Sequence, residues 1–143
     1  MRFGIICAMP EELKELLNHL ENEKINEIGG KKYYEGTISD QSVVLVESGI
    51  GKVEAGITTE HLITDFGADV VINSGSAGGI GEHQHVGDIV ISTETAYHDA
   101  DARAFDYVYG QLPGKPARFT ASQKWGDALA KAGEKTGLKI EKG

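Results

Sequence analysis

Apolar positions along this chain fall into short unbroken runs that alternate with helical stripes. "RFGIICA" (2–8) is a continuous apolar run of strand length, the pattern of a strand buried on both faces. "PEELKELLNHL" (10–20) follows, with Leu13, Leu16, Leu17 and Leu20 at helical spacing and Pro10 suited to a first turn. "KKYYEGTI" and "QSVVLVES" predict two strands joined at Ser39-Asp40. "GKVEAGITTEHLITDF" predicts a second helix, its stripe formed by Val53, Ala55, Ile57, Leu62, Ile63 and Phe66. "ADVVINSG" and "GDIVIST" predict two more buried strands. Glu94 to Phe119 shows no period. "TASQKWGDALAKAGEKTG" predicts a closing helix, with Thr120 and Gln123 as a capping box and Gly137 as a stop. "LKIEKG" reads as the start of a further strand.

The order β-α-β-β-α-β-β-loop-α-β predicts the α/β class: a three-layer sandwich around a central mixed, partly parallel sheet, in a single domain spanning 1–143. A helix stop followed by half a strand predicts a piece of a longer parent, its fold incomplete at the C-terminal side. No internal repeat, linker or low-complexity tract breaks the chain.

Charge and composition narrow the partners. The formal net charge is −8 with 14 basic residues, which argues against nucleic acid or an anionic membrane as the main partner. The apolar runs are too short to span a bilayer, and the N-terminus lacks the pattern of a signal peptide. The one cysteine, Cys7, lies in an apolar strand and reads as a small core residue. A cytoplasmic protein is expected.

Ligands in open α/β sheets bind beyond the carboxyl ends of strands. Three predicted strand ends carry unusual residues. The first runs through Ala8 and Met9 into Glu11 and Glu12. The second ends in Ser48-Gly49-Ile50-Gly51-Lys52, the third in Ser76-Ala77-Gly78-Gly79. Glycines there let backbone approach a ligand, and successive free N–H groups can face a phosphate, a carboxylate or a sugar. Two nucleotide motifs are excluded. Val46 stands where a P-loop needs its first glycine, and Glu54 stands where the dinucleotide fingerprint needs its third. Glu12 sits in a first helical turn, where acids favour the macrodipole, yet it lies beside the buried face and so within reach of a strand-end pocket. His83 and His85 lack a third ligand at sensible spacing. His98, Asp99 and Asp101 fit a surface or interface loop. The aromatic segment with Tyr97, Phe105, Tyr107 and Tyr109 predicts a subunit contact.

Taken together, "GIICAMPEE", "ESGIGKVEAG", "VINSGSAGGI", "VGDIVIS" and "YHDADARAFDYVYGQLPG" resemble the 5′-methylthioadenosine/S-adenosylhomocysteine nucleosidases of the purine nucleoside phosphorylase superfamily. Asp106 stands where glycine is common in that family and Pro10 where an acid is common. The resemblance implies a nucleoside phosphorylase-like fold and hydrolysis of the bond between adenine and a 5′-thio-substituted ribose. It also implies a homodimer with no metal and no cofactor. Glu12 would then activate the attacking water, with Ala8 and Met9 beside the ribose and Ile50 near the 5′-alkylthio group. Ser76, Ala77 and Gly78 would form the loop against adenine and the catalytic centre, and Phe105 and Pro113 would reach the neighbouring subunit's 5′-alkylthio pocket. The family's purine-protonating aspartate, its ribose-binding Met-Glu pair, its adenine-stacking aromatic and an arginine beside the water would lie past residue 143. A phosphate-dependent phosphorylase and a non-catalytic nucleoside-binding or dimerisation module are the alternatives.

Overall fold

The computed structural model describes all of residues 1–143, which form two compact units, Met1–Gly78 and Gly79–Gly143. The first contains β1 (Arg2–Cys7), α1 (Pro10–Asn18), β2 (Glu21–Ile28), β3 (Lys31–Ile38), β4 (Gln41–Glu47), α2 (Lys52–Thr64) and β5 (Val70–Asn73). Its strands build one sheet in the order β2-β3-β4-β1-β5. β1 pairs in parallel with both β4 and β5, while β2, β3 and β4 form an antiparallel meander. The sheet is therefore mixed, as the sequence predicts.

Alternation along the strands sends side chains to two faces, and each face receives a helix. Cys7, Val43 and Leu45 pack with Leu13, Leu16 and Leu17 of α1 and with Leu20 just beyond it. Ile6, Tyr33, Val44 and Val46 pack with Leu62 of α2 and with Phe66 just beyond it. Tyr33 stacks on Phe66 with ring centroids 4.6 Å apart. The result is helix, sheet, helix. Ser39 and Asp40 both take positive φ, matching the tight turn read between β3 and β4.

Two readings need correction. β2 has no counterpart in the apolar pattern, because "ENEKINEI" is largely polar. It lies at the edge of the sheet, where β3 is its partner and most of its side chains meet water. The Gly29-Gly30 turn before β3, with both φ positive, is the signal that marks it as half of a hairpin. The stripe of α2 is also rotated from the expected one. Ala55, Thr58, Leu62 and Phe66 face inward, whereas Val53, Ile57 and Ile63 are 72%, 49% and 50% exposed. Threonine at position 58 hid the true period, since it is polar by type yet fully buried.

The second unit contains β6 (Ile89–Ile91), β7 (Glu94–Thr95), a 3₁₀ turn (Arg103–Phe105), β8 (Phe119–Thr120), α3 (Gln123–Glu134) and β9 (Ile140–Lys142). β9, the terminal strand read from "LKIEKG", pairs in parallel with β6. β7 and β8 pair antiparallel and so close the long loop at its base. Within the loop the Tyr109 hydroxyl donates to the His98 carbonyl at 2.6 Å, and Arg103 pairs with Asp101 at 2.7 Å. Arg103 pulls the Asp101 carboxyl down to about 2. The expected capping box is absent. Thr120 belongs to β8, opposite Glu94, and Ser122 caps α3 without a side-chain hydrogen bond. No helix is long and apolar enough to cross a membrane.

The rotated stripe of α2 sets a stability contrast. Leu62→Ala should cost about 2–5 kcal/mol as a cavity opens under α2. Val53→Ala should stay within about 0.5 kcal/mol. Urea unfolding of both variants measures the difference, and equal losses would contradict the inward face assigned here.

Candidate active site at the strand tips

Because β4, β1 and β5 are adjacent and parallel, their carboxyl ends share one edge of the sheet. The ladder runs on past each end. Ser48 N–H donates to the Cys7 carbonyl at 2.8 Å, and Ser74 N–H donates to the Ile6 carbonyl at 3.0 Å. The segments after the strands are thereby registered on β1, the central member.

The chain leaves β1 through Ala8 and Met9 and turns into α1, whose N-cap is Met9 in an extended conformation. Glu12 occupies the third helical position. Its Oε2 accepts from the backbone N–H of Ala8 (3.0 Å) and of Met9 (3.1 Å), which satisfies donors that open a helix without partners. A capping role needs no more than that. Yet Glu12 Oε1 also accepts from the Ser76 N–H (2.8 Å) and the Ser76 hydroxyl (2.9 Å), 64 residues along the chain. One carboxylate thus joins the β1–α1 turn to the loop after β5.

Gly75 permits this approach. A Cβ built there would stand 2.8 Å from the Glu12 carboxylate carbon and both its oxygens, closer than real Cβ contacts come. The glycine of "NSGS" is required by a neighbour's charge, a reason the sequence reading did not supply.

The donors determine the state of Glu12. The Ser76 N–H, then the Ser76 hydroxyl, hold its carboxyl below the usual value of 4.5; partial burial opposes them, and the Met9 and Ala8 N–H groups add to the lowering. The N-terminal end of α1 also favours negative charge. Beneath it, burial and then the Glu12 charge push the Cys7 thiol up to about 11, so no second anion forms nearby. The arrangement presents an ionised carboxylate at the sheet edge, able to stabilise a cation or accept a proton.

The remaining expected residues are placed as follows. Ile50 is 81% exposed at the end of β4, between Gly49 and Gly51, both of positive φ. Ala77 and Gly78 are exposed and follow Ser76 directly. Phe105 and Pro113 are exposed and belong to the second unit. The structure adds Lys31, whose ammonium donates to the Ser48 carbonyl at 2.6 Å and pairs with Glu54 of α2 at 2.8 Å. This pins the loop before Ile50, and a lysine opening a strand gave no sign of it. Of two hollows of about 450 and 320 Å³, the first lies away from the strand tips, beside Lys24, Glu35 and Asp65, and the second borders the end of β4, beside Leu13, Lys31, Glu47 and Gly49. Neither is lined by Glu12 or Ser76.

Two measurements check this geometry. Gly75→Ala should push the carboxylate off Ser76, cost about 1–3 kcal/mol and speed hydrogen exchange at the Ser76 amide. Unchanged exchange there would refute the close approach. Because the folded-state pKa of Glu12 is lowered, its charge contributes stability above pH 4.5 that is lost as pH falls through the folded value. The stability difference between the native chain and Glu12→Gln should therefore be largest near neutrality and shrink in acid. A difference that does not vary with pH would contradict the assignment.

Comparison with known proteins agrees with the α/β fold. The 5′-methylthioadenosine/S-adenosylhomocysteine nucleosidase of Actinobacillus succinogenes is 47% identical over 143 residues, covering 100% of this chain and 62% of that protein. The crystal structure of the Neisseria meningitidis nucleosidase in complex with methylthio-immucillin-A superposes with a TM-score of 0.96 at 43% identity, covering 99% of this chain and 62% of that one. The Colwellia psychrerythraea nucleosidase in complex with adenine gives 0.97 at 42% identity, covering 100% and 60%. The chain thus spans about three-fifths of the length of the relatives it matches. The family model described as the phosphorylase superfamily matches residues 2–143, and the chain belongs to that superfamily.

Proposed function

We propose that this chain carries the water-activating half of a nucleosidase that hydrolyses 5′-methylthioadenosine and S-adenosylhomocysteine to adenine and the 5-thio-substituted ribose. The observation that carries the reading is the Glu12 carboxylate, kept ionised by four donors at the tips of parallel strands. Departure of a purine leaves positive charge on the ribosyl C1′ and ring oxygen, as in glycoside hydrolysis. A fixed negative charge on the face opposite the leaving group stabilises that cation and takes the proton of the attacking water. The adenine leaves with the electron pair of the C1′–N9 bond and needs a proton from an acid on its own side. In this reading that acid and the ribose clamp lie beyond residue 143.

Ala8 and Met9 then border the ribose, Ile50 borders the 5′-alkylthio group, and Ser76, Ala77 and Gly78 form the loop against adenine and the catalytic centre. Phe105 and Pro113 serve the pocket of the other subunit in a homodimer. The proposed setting is the cytoplasm, without metal or cofactor.

The superfamily also contains phosphorylases, and the arrangement of charge favours water over phosphate. The three arginines are engaged elsewhere: Arg2 with Phe66 O and Glu35, Arg103 with Asp101, Arg118 with Glu94. The N–H groups of Ala8, Met9 and Ser76 that could cradle a phosphate already hold the Glu12 carboxylate, which would repel a second anion.

The test is adenine release from both nucleosides. Residues 1–143 alone should show little turnover, because loss of a general acid typically costs a factor of about 10²–10⁴. Fusion to the C-terminal segment of the Actinobacillus succinogenes relative should restore phosphate-independent hydrolysis. Glu12→Ala in the fusion should remove it by a similar factor of about 10²–10⁴. A strict phosphate requirement, or full activity of Glu12→Ala, would defeat the proposal.

A further inference from the structure

The two oxygens of a carboxylate offer about four acceptor sites. At Glu12 all four are taken, by the N–H groups of Ala8, Met9 and Ser76 and by the Ser76 hydroxyl. Three of these donors are backbone, fixed by the β1–α1 turn and the loop after β5. The fourth sits on a single rotatable bond, on an exposed residue followed by the small, exposed Ala77 and Gly78. A water that is to give Glu12 its proton must first hydrogen-bond to the carboxylate, and one of these four donors must yield its place.

We infer that Ser76 is a positioning residue: its hydroxyl occupies the acceptor site on Glu12 that the attacking water requires, and substrate entry exchanges that hydroxyl for the water. The exchange rests on the nucleosidase reading; the occupancy in the free protein does not. Before substrate binds, the hydroxyl keeps Glu12 ionised and weakly basic. When the hydroxyl turns away, the carboxylate loses a strong donor and becomes more basic as the water arrives. The ionisable groups of the neighbouring elements are few, and on β4 Glu47, in register with Cys7, is exposed. The Cys7 thiol of β1 is neutral, the segment after β5 carries no ionisable side chain from Ser74 to Gly78, and on α1 Glu15 is engaged with Asn18 and His19 while Glu11 is exposed.

The occupancy is read by carbon-13 NMR titration of the Glu12 side-chain carboxyl in the 143-residue chain. Its midpoint should lie below the ordinary glutamate value, move to higher pH in Ser76→Ala, and stay at the native position in Ser76→Thr, which restores the hydroxyl. Ser76→Cys keeps the volume with a weak donor and should move as the alanine does, which preserves the comparison if the alanine variant unfolds. An unmoved midpoint in folded Ser76→Ala or Ser76→Cys, or an equal move in Ser76→Thr, overturns the inference. The exchange is read in the fusion enzyme, where kcat/KM reports the free form and kcat the bound form. The acid limb of kcat should lie at higher pH than that of kcat/KM, and the gap should close in Ser76→Ala. A gap that persists in Ser76→Ala overturns the exchange. A fusion that releases no adenine from either nucleoside defeats the nucleosidase reading and with it the exchange, while the titration still decides the occupancy.

Discussion

The contact between Glu12 and Ser76 depends on one constraint, the pairing of β1 with a parallel neighbour on each side. β1 fixes where Ala8 and Met9 emerge, and its carbonyls at Ile6 and Cys7 hold the first residues beyond β5 and β4. Helix α1 must start immediately after β1 for Glu12 to occupy its third position, and Leu13 ties the same turn to the core. The loop after β5 must then pass within hydrogen-bonding distance of the carboxylate. Gly75 is the residue that lets it do so. The helix, the sheet and one glycine thus converge on a single charged group.

Much of this was legible because burial writes itself into sequence. Runs such as "RFGIICA" and "VVLV" are apolar on both faces because each face carries a helix, and the inference to parallel neighbours follows from that. Glu12 was readable from its place beside the buried face of α1. What stayed hidden was set by partners distant in sequence. An edge strand needs only one neighbour and one modestly apolar face, so β2 carried no strong pattern. Helix α2 turned on Thr58, whose burial no type-based period could reveal. Thr120 looked like a cap and became a strand residue because Glu94 lies opposite it. The necessity of Gly75 comes from a carboxylate 63 positions earlier, which local pattern cannot report.

A base held by four donors looks ill suited to taking protons, since each hydrogen bond to an ionised group is worth about 1.5–3 kcal/mol and favours the charged form. The conflict eases once the demands of the proposed reaction are separated. An electron-poor ribosyl cation is a strong electrophile, so water needs little deprotonation before it attacks. A negative charge that stays in place and ionised until the water attacks is the scarcer requirement. The N–H groups of Ala8, Met9 and Ser76 meet that need with backbone geometry. In the proposed reaction the same three groups also bear on the choice between water and phosphate. N–H groups aimed at one point will hold a single anion. Where the protein supplies that anion as its own side chain, a free phosphate would meet repulsion in place of a cradle, whereas a neutral water needs only one of the four donors to give way.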